Sequence, residues 1–285
     1  MLLIVGTVPI KDLPLTIGEA RVVGDLLVVN DYNISCIQGT ASMINAAVKT
    51  TEYFNINKPQ VLIAGDIGEG KGSREIYRYL IKNLKVISPS ILTLHYCMPY
   101  ITMITKLCEV INELNKKPIM IADAGSMYAA KASGMAGNFD VFTPDATEMA
   151  FLADSNATHP AYIAKHLFDN DITQTPKLVK IAYKNKDVAK LLLVKGSTDY
   201  IALDGNIIDV VTKPDIPAME AIGGTGDTIT GLISALIYSG LGLKKAALVA
   251  ARSNRIAGEC AKANPATKIS QIIAQFSSAF QKLKL

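Results

Sequence analysis

The stretch Ala221–Leu241, AIGGTGDTITGLISALIYSGL, decides how this sequence folds. Its glycines Gly223, Gly224 and Gly226 stand immediately before Asp227, and apolar residues spaced three and four apart follow. The pattern predicts a glycine turn that leads into a helix. The free N–H groups and the positive dipole end of such a helix start bind anions, above all phosphate. Asp227 is then either a helix cap or a proton acceptor directed at a neighbour of the anion.

Outside this stretch, short apolar runs alternate with amphipathic helices along most of the chain. Runs such as Leu2–Val5, Leu26–Val29 and Val61–Ala64 have no polar alternation, which is typical of strands buried on both faces. Strand–helix repetition of this kind indicates right-handed crossovers and a parallel sheet. Later, two β-rich runs flank an Asp204–Gly205 turn, which is a hairpin signal. We therefore predict one α/β domain over residues 1–285, with a central, mostly parallel sheet and a C-terminal hairpin edge.

The composition excludes several functional classes. A chain of 285 residues that is 49% hydrophobic can bury a sizeable core. Its net charge of +4, without any Lys/Arg-rich run, argues against nucleic acid as a partner. The four cysteines form no CxxC pair, which fits a reducing compartment. The N-terminus lacks signal-peptide features and the later apolar runs are too short to span a bilayer, so we expect a cytoplasmic protein without a membrane partner. A homo-oligomer is compatible with the sequence.

Polar residues stand just past the ends of five predicted strands. They are Asp66, His95, Asp123, Asp145 and Lys195. Any one of them alone reads as an ordinary turn residue. In an open α/β sheet, however, ligands bind outside the carboxyl ends of the strands. Five such residues together with an anion-binding helix start therefore predict a binding site at this edge.

Two pairs of residues suit particular parts of such a site. Asp145 and Glu148 are three apart at a predicted helix start, where two carboxylates suit Mg²⁺ held largely through water. The alternative is a capping pair, which the spacing alone favours. Lys195 can lay its ammonium group against phosphate oxygens, while Gly196 lets the backbone approach closely. A surface lysine is an alternative of equal weight.

A glycine-rich loop, GDIGEGKGS, follows another predicted strand at residues 65–73. Its glycine spacing fits neither G-x-G-x-x-G nor GxxxxGK[ST], so we interpret it as a loop that contacts substrate. A lone histidine at a strand end is either a general acid or base or a structural residue. His159 and His166 are interpreted as ordinary surface or helix positions. The predicted substrate contacts are Gly65, Asp66, Gly68, His95 and Asp123.

Taken together, these motifs resemble the ribokinase-like superfamily and, within it, the NAD(P)H-hydrate dehydratases. The hallmark is GTGD at a helix start, here Gly224–Asp227, and Gly231 matches the glycine that ends the following run. Four looser matches come in the family's order: GDIGEGKGS for GPGLG, IADAGSM for DADAL, TPDATEMAFL for TPHPGE, and LLLVKGSTDYIA for an LKG-plus-hairpin segment. The resemblance covers about Val61–Gly258 and implies a three-layer α/β/α ribokinase-like fold.

The resemblance also implies roles for individual residues. ATP or ADP would lie across the carboxyl edge of the sheet. Asp227 stands where the kinases have the base that deprotonates the accepting hydroxyl. Asp145 and Glu148 fall on the kinases' magnesium motif NxxE, with Asp in place of Asn. In the dehydratases, phosphate transfer to the hydrated nicotinamide is proposed to precede elimination. The residues expected to bind the nucleotide phosphates are Gly224, Thr225, Gly226, Lys195 and Gly196.

Three functions follow as hypotheses. The first is an ATP- or ADP-dependent NAD(P)H-hydrate dehydratase, and the second is a kinase for a hydroxyl of a sugar, nucleoside or vitamin precursor. The third, a non-catalytic nucleotide-binding protein, is disfavoured by the presence of Asp227. Asp66 and Glu69 would repel an anionic dinucleotide, which favours the kinase. The GTGDTITG wording and the order of the motifs favour the dehydratase. The motif order has slightly more weight, because Lys71 and Arg74 are close enough in sequence to offset these acids.

Overall fold

A computed structural model, which describes residues 1–157 and 174–285, contains an 11-stranded sheet with the order β11-β10-β9-β8-β7-β6-β1-β5-β2-β3-β4. The strands are β1 (Leu2–Val8), β2 (Thr16–Val23), β3 (Leu26–Val29), β4 (Tyr32–Ser35), β5 (Gln60–Gly65), β6 (Ile91–His95), β7 (Ile119–Asp123), β8 (Val141–Phe142), β9 (Leu191–Val194), β10 (Asp199–Leu203) and β11 (Asn206–Val211). The helices are α1 (Gly39–Tyr53), α2 (Lys71–Ile87), α3 (Ile101–Asn112), α4 (Ala124–Ala132), α5 (Ala146–Ala153), α6 (Thr175–Asn185), α7 (Thr225–Tyr238), α8 (Leu243–Cys260), α9 (Ile269–Ile273) and α10 (Phe276–Lys282).

The six central strands, β5, β1, β6, β7, β8 and β9, pair in parallel, as the apolar runs predict. Strand β1 shows why these runs lack polar alternation. All seven of its residues are buried, and successive side chains enter opposite cores. Leu2 and Ile4 pack on one side of the sheet, whereas Leu3 and Val5 pack on the other.

Helices cover both faces of the sheet. The first core joins it to α1, α7, α8, α9 and α10, and the second joins it to α2, α3, α4, α5 and α6. The predicted three-layer α/β/α arrangement is thereby confirmed. Among the described residues, no helix is both long enough and apolar enough to cross a membrane.

Both edges of the sheet are antiparallel. The C-terminal edge is the predicted hairpin β10–β11, which turns at Asp204–Gly205. At the opposite edge, β2, β3 and β4 form an antiparallel meander beside β5, although the sequence analysis identified only the Leu26–Val29 run. Only every fourth residue of β2 is fully buried. The exposed residues between them hide the apolar pattern from which a strand is predicted. Asn30 closes the next turn with a φ of 49°.

Candidate functional site

The glycine turn begins α7 as predicted. Gly224 is the residue before the helix and has a φ of 94°, a backbone conformation that favours glycine. A side chain there would also stand 2.8 Å from the Ser42 hydroxyl oxygen. Within residues 1–157 and 174–285, the amides of Gly226 and Asp227 have no hydrogen-bond acceptor. Two unpaired N–H groups at the positive end of a helix are suited to an anion.

Asp227 lies in the first turn of α7, but its side chain does not cap the helix. One carboxylate oxygen accepts a hydrogen bond of 2.6 Å from the Gly39 amide at the start of α1. The other lies 3.1 Å from Nε2 of His95. Burial raises the pKa of Asp227, but the hydrogen bond and charge of His95, with the charge of Lys195, outweigh it and lower the pKa. The carboxylate is therefore ionised and can accept a proton.

His95 is fully buried behind Asp227, and its hydrogen bonds define where its protons lie. The Thr40 hydroxyl donates to the Thr7 carbonyl at 2.6 Å, so it accepts from Nδ1 of His95 at 2.9 Å. Nε2 faces the carboxylate of Asp227, so the buried ring orients Asp227.

A second buried group lies beneath the glycine turn. Lys195 donates to both carboxylate oxygens of Asp123, at 3.0 and 2.9 Å, and Thr230 donates to one of them at 2.5 Å. Burial lowers the pKa of Lys195, but the carboxylate of Asp123 and its acidic neighbours raise it above its usual value. A Cβ atom at Gly226 would stand 3.7 Å from the Lys195 ammonium nitrogen. The charged lysine therefore lies directly beside the unpaired amides.

Asp145 and Glu148 form the capping box that their spacing favours. Each side chain accepts a hydrogen bond of 2.8 Å from the other's amide, and Tyr128 donates to Glu148 at 2.9 Å. Burial, followed by the charges of Asp123 and Asp145, raises the pKa of Glu148 to about 8. A cation would relieve this repulsion. Mg²⁺ usually binds one or two carboxylates and keeps several waters, so the two side chains fit that ion without leaving the capping box.

These groups surround a cavity of about 470 Å³ at the carboxyl edge of the sheet. Gly224 and His95 are not part of its lining, but His95 contacts three residues that are: Asp227, Asp123 and Tyr96. The cavity is lined by eight of the predicted site residues: Asp123, Asp145, Glu148, Lys195, Gly196, Thr225, Gly226 and Asp227.

The sequence analysis did not identify several residues that line or support this cavity. Arg255 of α8 donates to Asp199 at 2.7 Å and to the Gly196 and Ser197 carbonyls at 2.9 Å, which fixes the loop after Lys195. Tyr96 and Asn254 also line the cavity. Arg255 and Asn254 lie inside a helix, where they read as ordinary polar positions. A tyrosine directly after His95 at a strand end was the one available signal.

The loop at residues 65–73 lies away from the cavity lining. A side chain at Gly65 would stand 2.0 Å from the Ile10 carbonyl oxygen, so close packing explains this glycine. The Asp66 carboxylate accepts bonds from the amides of Gly68, Gly70 and Ser73. Burial raises its pKa, but these bonds lower it overall. Substrate contacts in this loop stay a prediction. His159 and His166 lie outside the described residues.

Parts of this sequence are similar to known proteins. The NAD(P)H-hydrate dehydratase family profile matches residues 101–277. The uncharacterized protein MJ1337 of Methanocaldococcus jannaschii is 43% identical over 239 residues, which are 84% of this chain and 98% of its own. The bifunctional NAD(P)H-hydrate repair enzyme Nnr of Pyrobaculum aerophilum is 31% identical over 155 residues, which are 54% of this chain but 28% of that enzyme.

The fold recurs in solved kinase structures. The pyridoxal kinase from Staphylococcus aureus, in complex with AMP-PCP and pyridoxal, superposes with a TM-score of 0.50 at 13% identity. The superposition covers 89% of this chain and 86% of that kinase, and at this identity it supports the fold alone. The sheet order, the helix layers and this likeness identify the fold as ribokinase-like. With the profile match over more than half of its length, the chain belongs to the NAD(P)H-hydrate dehydratase family.

Proposed function

We propose that this chain is a nucleotide-dependent enzyme that dehydrates hydrated NAD(P)H with ATP or ADP. One observation carries the proposal: an ionised Asp227 lies at a helix start whose unpaired amides and adjacent Lys195 suit phosphate. Nucleotide phosphates would lie against the amides of Thr225, Gly226 and Asp227. Lys195, directly beside Gly226, and the backbone at Gly196 would contact the same phosphates.

The first chemical step uses Asp227 as a general base. A substrate hydroxyl gives its proton to the carboxylate while its oxygen attacks the terminal phosphorus. The bond between that phosphorus and the nucleotide breaks, so the phosphoryl group moves to the substrate oxygen. In a hydrated nicotinamide, the ring nitrogen's electron pair then expels phosphate from the adjacent carbon. Loss of a proton from the next carbon restores the double bond. His95 keeps Asp227 ionised and oriented for the first of these reaction steps.

Asp145 and Glu148 would hold Mg²⁺, largely through water. The ion would supply positive charge to the phosphates. The raised pKa of Glu148 supports this assignment. Burial and the neighbouring carboxylates disfavour the negative charge of Glu148, and a bound cation would stabilise that charge. Neither carboxylate would need to leave the capping box. One oxygen of Asp145 lies outside it, and the second oxygen of Glu148, which accepts from Tyr128, has another lone pair for a water of the ion.

A kinase acting on a small hydroxylated compound is the second candidate, and one observation favours it. The family match begins at residue 101. The loops after β1, β5 and β6, the last of which supplies Tyr96 to the cavity, therefore lie outside the matched part. The Asp66 carboxylate also interacts with its own loop, so it offers little repulsion to a dinucleotide and does not decide between the candidates.

The test is Asp227→Asn, which keeps the size of the side chain and removes the base. We expect turnover to fall by about 10²–10⁴, while the affinity for ATP and ADP stays close to that of the wild type. The matched control is Asp204→Asn in the exposed turn between β10 and β11, at the opposite edge of the sheet. Wild-type turnover by the Asp227 variant would refute the assigned base.

A second measurement separates the two enzymes. NAD(P)H recovery from its hydrate should require ATP or ADP. The same protein is assayed for phosphorylation of sugars, nucleosides and vitamin precursors. If nucleotide binds but no NAD(P)H is recovered, the dehydratase is rejected and phosphorylation of one of these compounds identifies the kinase. Binding without any consumption of nucleotide would indicate the non-catalytic alternative.

A further inference from the structure

Tyr96, the residue that follows β6, combines exposure with an unusual backbone conformation. Its φ is 50°, in a region that bulky residues rarely adopt, and 48% of its surface is exposed. The Thr7 hydroxyl holds this conformation by donating to the Tyr96 carbonyl at 2.7 Å. Such outliers persist where the surrounding structure imposes them, and they concentrate at functional sites.

The ring of Tyr96 lies beside the residues that hold the proposed base. Its Cε2 atom lies 3.3 Å from where a Cβ atom of Gly39 would stand, a tight contact, and the φ of 68° at Gly39 also favours glycine there. It meets the ring of His95 edge to face, with 4.3 Å between the ring centroids. Gly39 and His95 are the two residues that hydrogen bond to the Asp227 carboxylate. Tyr96 also lines the same cavity as Asp227.

Outside the cavity lining, exposed hydrophobic side chains occur near Tyr96 in strand order. Strands β6, β1 and β5 lie side by side, and exposed hydrophobic side chains follow the carboxyl end of each. They are Met98 after β6, Ile10 after β1 and Ile67 after β5. Burial, and then the charge of Asp227, raises the pKa of Tyr96 to about 12, so its hydroxyl is an uncharged donor. Hydrophobic side chains and an uncharged tyrosine ring suit a flat substrate ring better than an open-chain polyol.

We propose that Tyr96 is a specificity-determining residue that stacks against a flat, nitrogen-containing ring of the substrate. Stacking would place the substituents of that ring beside the Asp227 carboxylate. This inference rests on the proposed function, because it takes Asp227 as the group that acts on the substrate. For the dehydratase it assigns the residue that contacts the nicotinamide-derived ring, and for the kinase it narrows the substrates to compounds with a largely planar heterocycle.

The absence of tryptophan from this sequence permits a direct test. Tyr96→Trp creates a single-tryptophan protein whose fluorescence reports stacking. Nicotinamide and pyridoxine serve as planar probes, and ribose and glycerol serve as polyols, all in the presence of AMP-PCP. The control is Val86→Trp, at a position that is 87% exposed at the end of α2. We expect saturable quenching by the planar probes only in the Tyr96 variant. Equal quenching in both variants, or none that saturates, would overturn the inference.

Turnover of the Tyr96 variants gives an independent readout. Tyr96→Phe keeps the ring and should hold the substrate KM within about threefold of the wild type, whereas Tyr96→Ala should raise it by roughly tenfold or more. The KM for the nucleotide should not change in either. A rise in nucleotide KM alone would contradict the inference. If Asp227→Asn retains turnover while Tyr96→Trp is quenched saturably, the proposed base fails and the stacking residue stands; the reverse result rejects Tyr96 alone.

Discussion

Gly231 provides a direct test of how the site is assembled. It lies one turn after Asp227 in α7, where that helix crosses α1. A Cβ atom at Gly231 would stand 2.1 Å from the Met43 carbonyl oxygen, and ordinary contact begins near 3.4 Å. Gly231→Ala must therefore separate the two helices by roughly 1 Å. The same helices supply the Gly39 amide and the Asp227 carboxylate, which lie 2.6 Å apart.

Two opposing effects determine the change in stability. Alanine is favoured over glycine inside a helix by about 0.8–1 kcal/mol. Overpacking a tight core costs about 1–3 kcal/mol, and more where backbone atoms collide. Because the collision at Gly231 is with a backbone carbonyl, we expect a net loss of about 1–2 kcal/mol in the free energy of unfolding. Displacement of Asp227 should also lower turnover by on the order of 10²-fold.

Urea unfolding and steady-state turnover measure the two effects separately. Gly137→Ala is the matched control, because a Cβ atom there meets no heavy atom within 4 Å. It should leave stability unchanged or slightly higher. If Gly231→Ala is as stable and as active as Gly137→Ala, then the close approach of α1 and α7 does not hold Asp227 in place and our reasoning is wrong.

Three further predictions concern charge and reactivity. Lys195→Met leaves the Asp123 carboxylate buried without its cation, so the free energy of unfolding should fall by about 3–5 kcal/mol in urea melts; a loss under about 1 kcal/mol would contradict the buried ion pair. Because the folded pKa of Glu148 is raised to about 8, its stabilising contribution is complete below the unfolded pKa near 4.5 and is lost as the pH rises through 8. Glu148→Gln should therefore flatten the pH dependence of metal-free thermal melts, and an unchanged slope would refute this. Cys260 is half-buried and should react at once with a thiol reagent, whereas the other three thiols, buried and with raised pKa values, should react only on unfolding; two fast thiols would contradict this assignment.

Much of the fold could be predicted from the sequence because it depends on local patterns. Apolar runs such as Leu2–Val5 identify strands buried on both faces, whatever their neighbours are. The glycines before Asp227 predict a helix start from backbone conformation alone, and Asp145 with Glu148 predicts a capping box from spacing alone. Of the meander at β2–β4, only the β3 run was identified, because β2 and β4 are partly exposed and β4 is short.

The sequence also identified eight of the residues that line the cavity, since strand ends in a parallel sheet meet at one edge. Their partners were not. The pairing of Lys195 with Asp123 spans 72 positions, and that of Gly39 with Asp227 spans 188. Both the ionised state of Asp227 and the ring position of Tyr96 depend on such long-range contacts. Periodicity and turn chemistry act within a few residues along the chain, so they determine the elements of this protein. Which charges and hydrogen-bond donors face one another is decided only when the packed helices and sheet bring distant residues together.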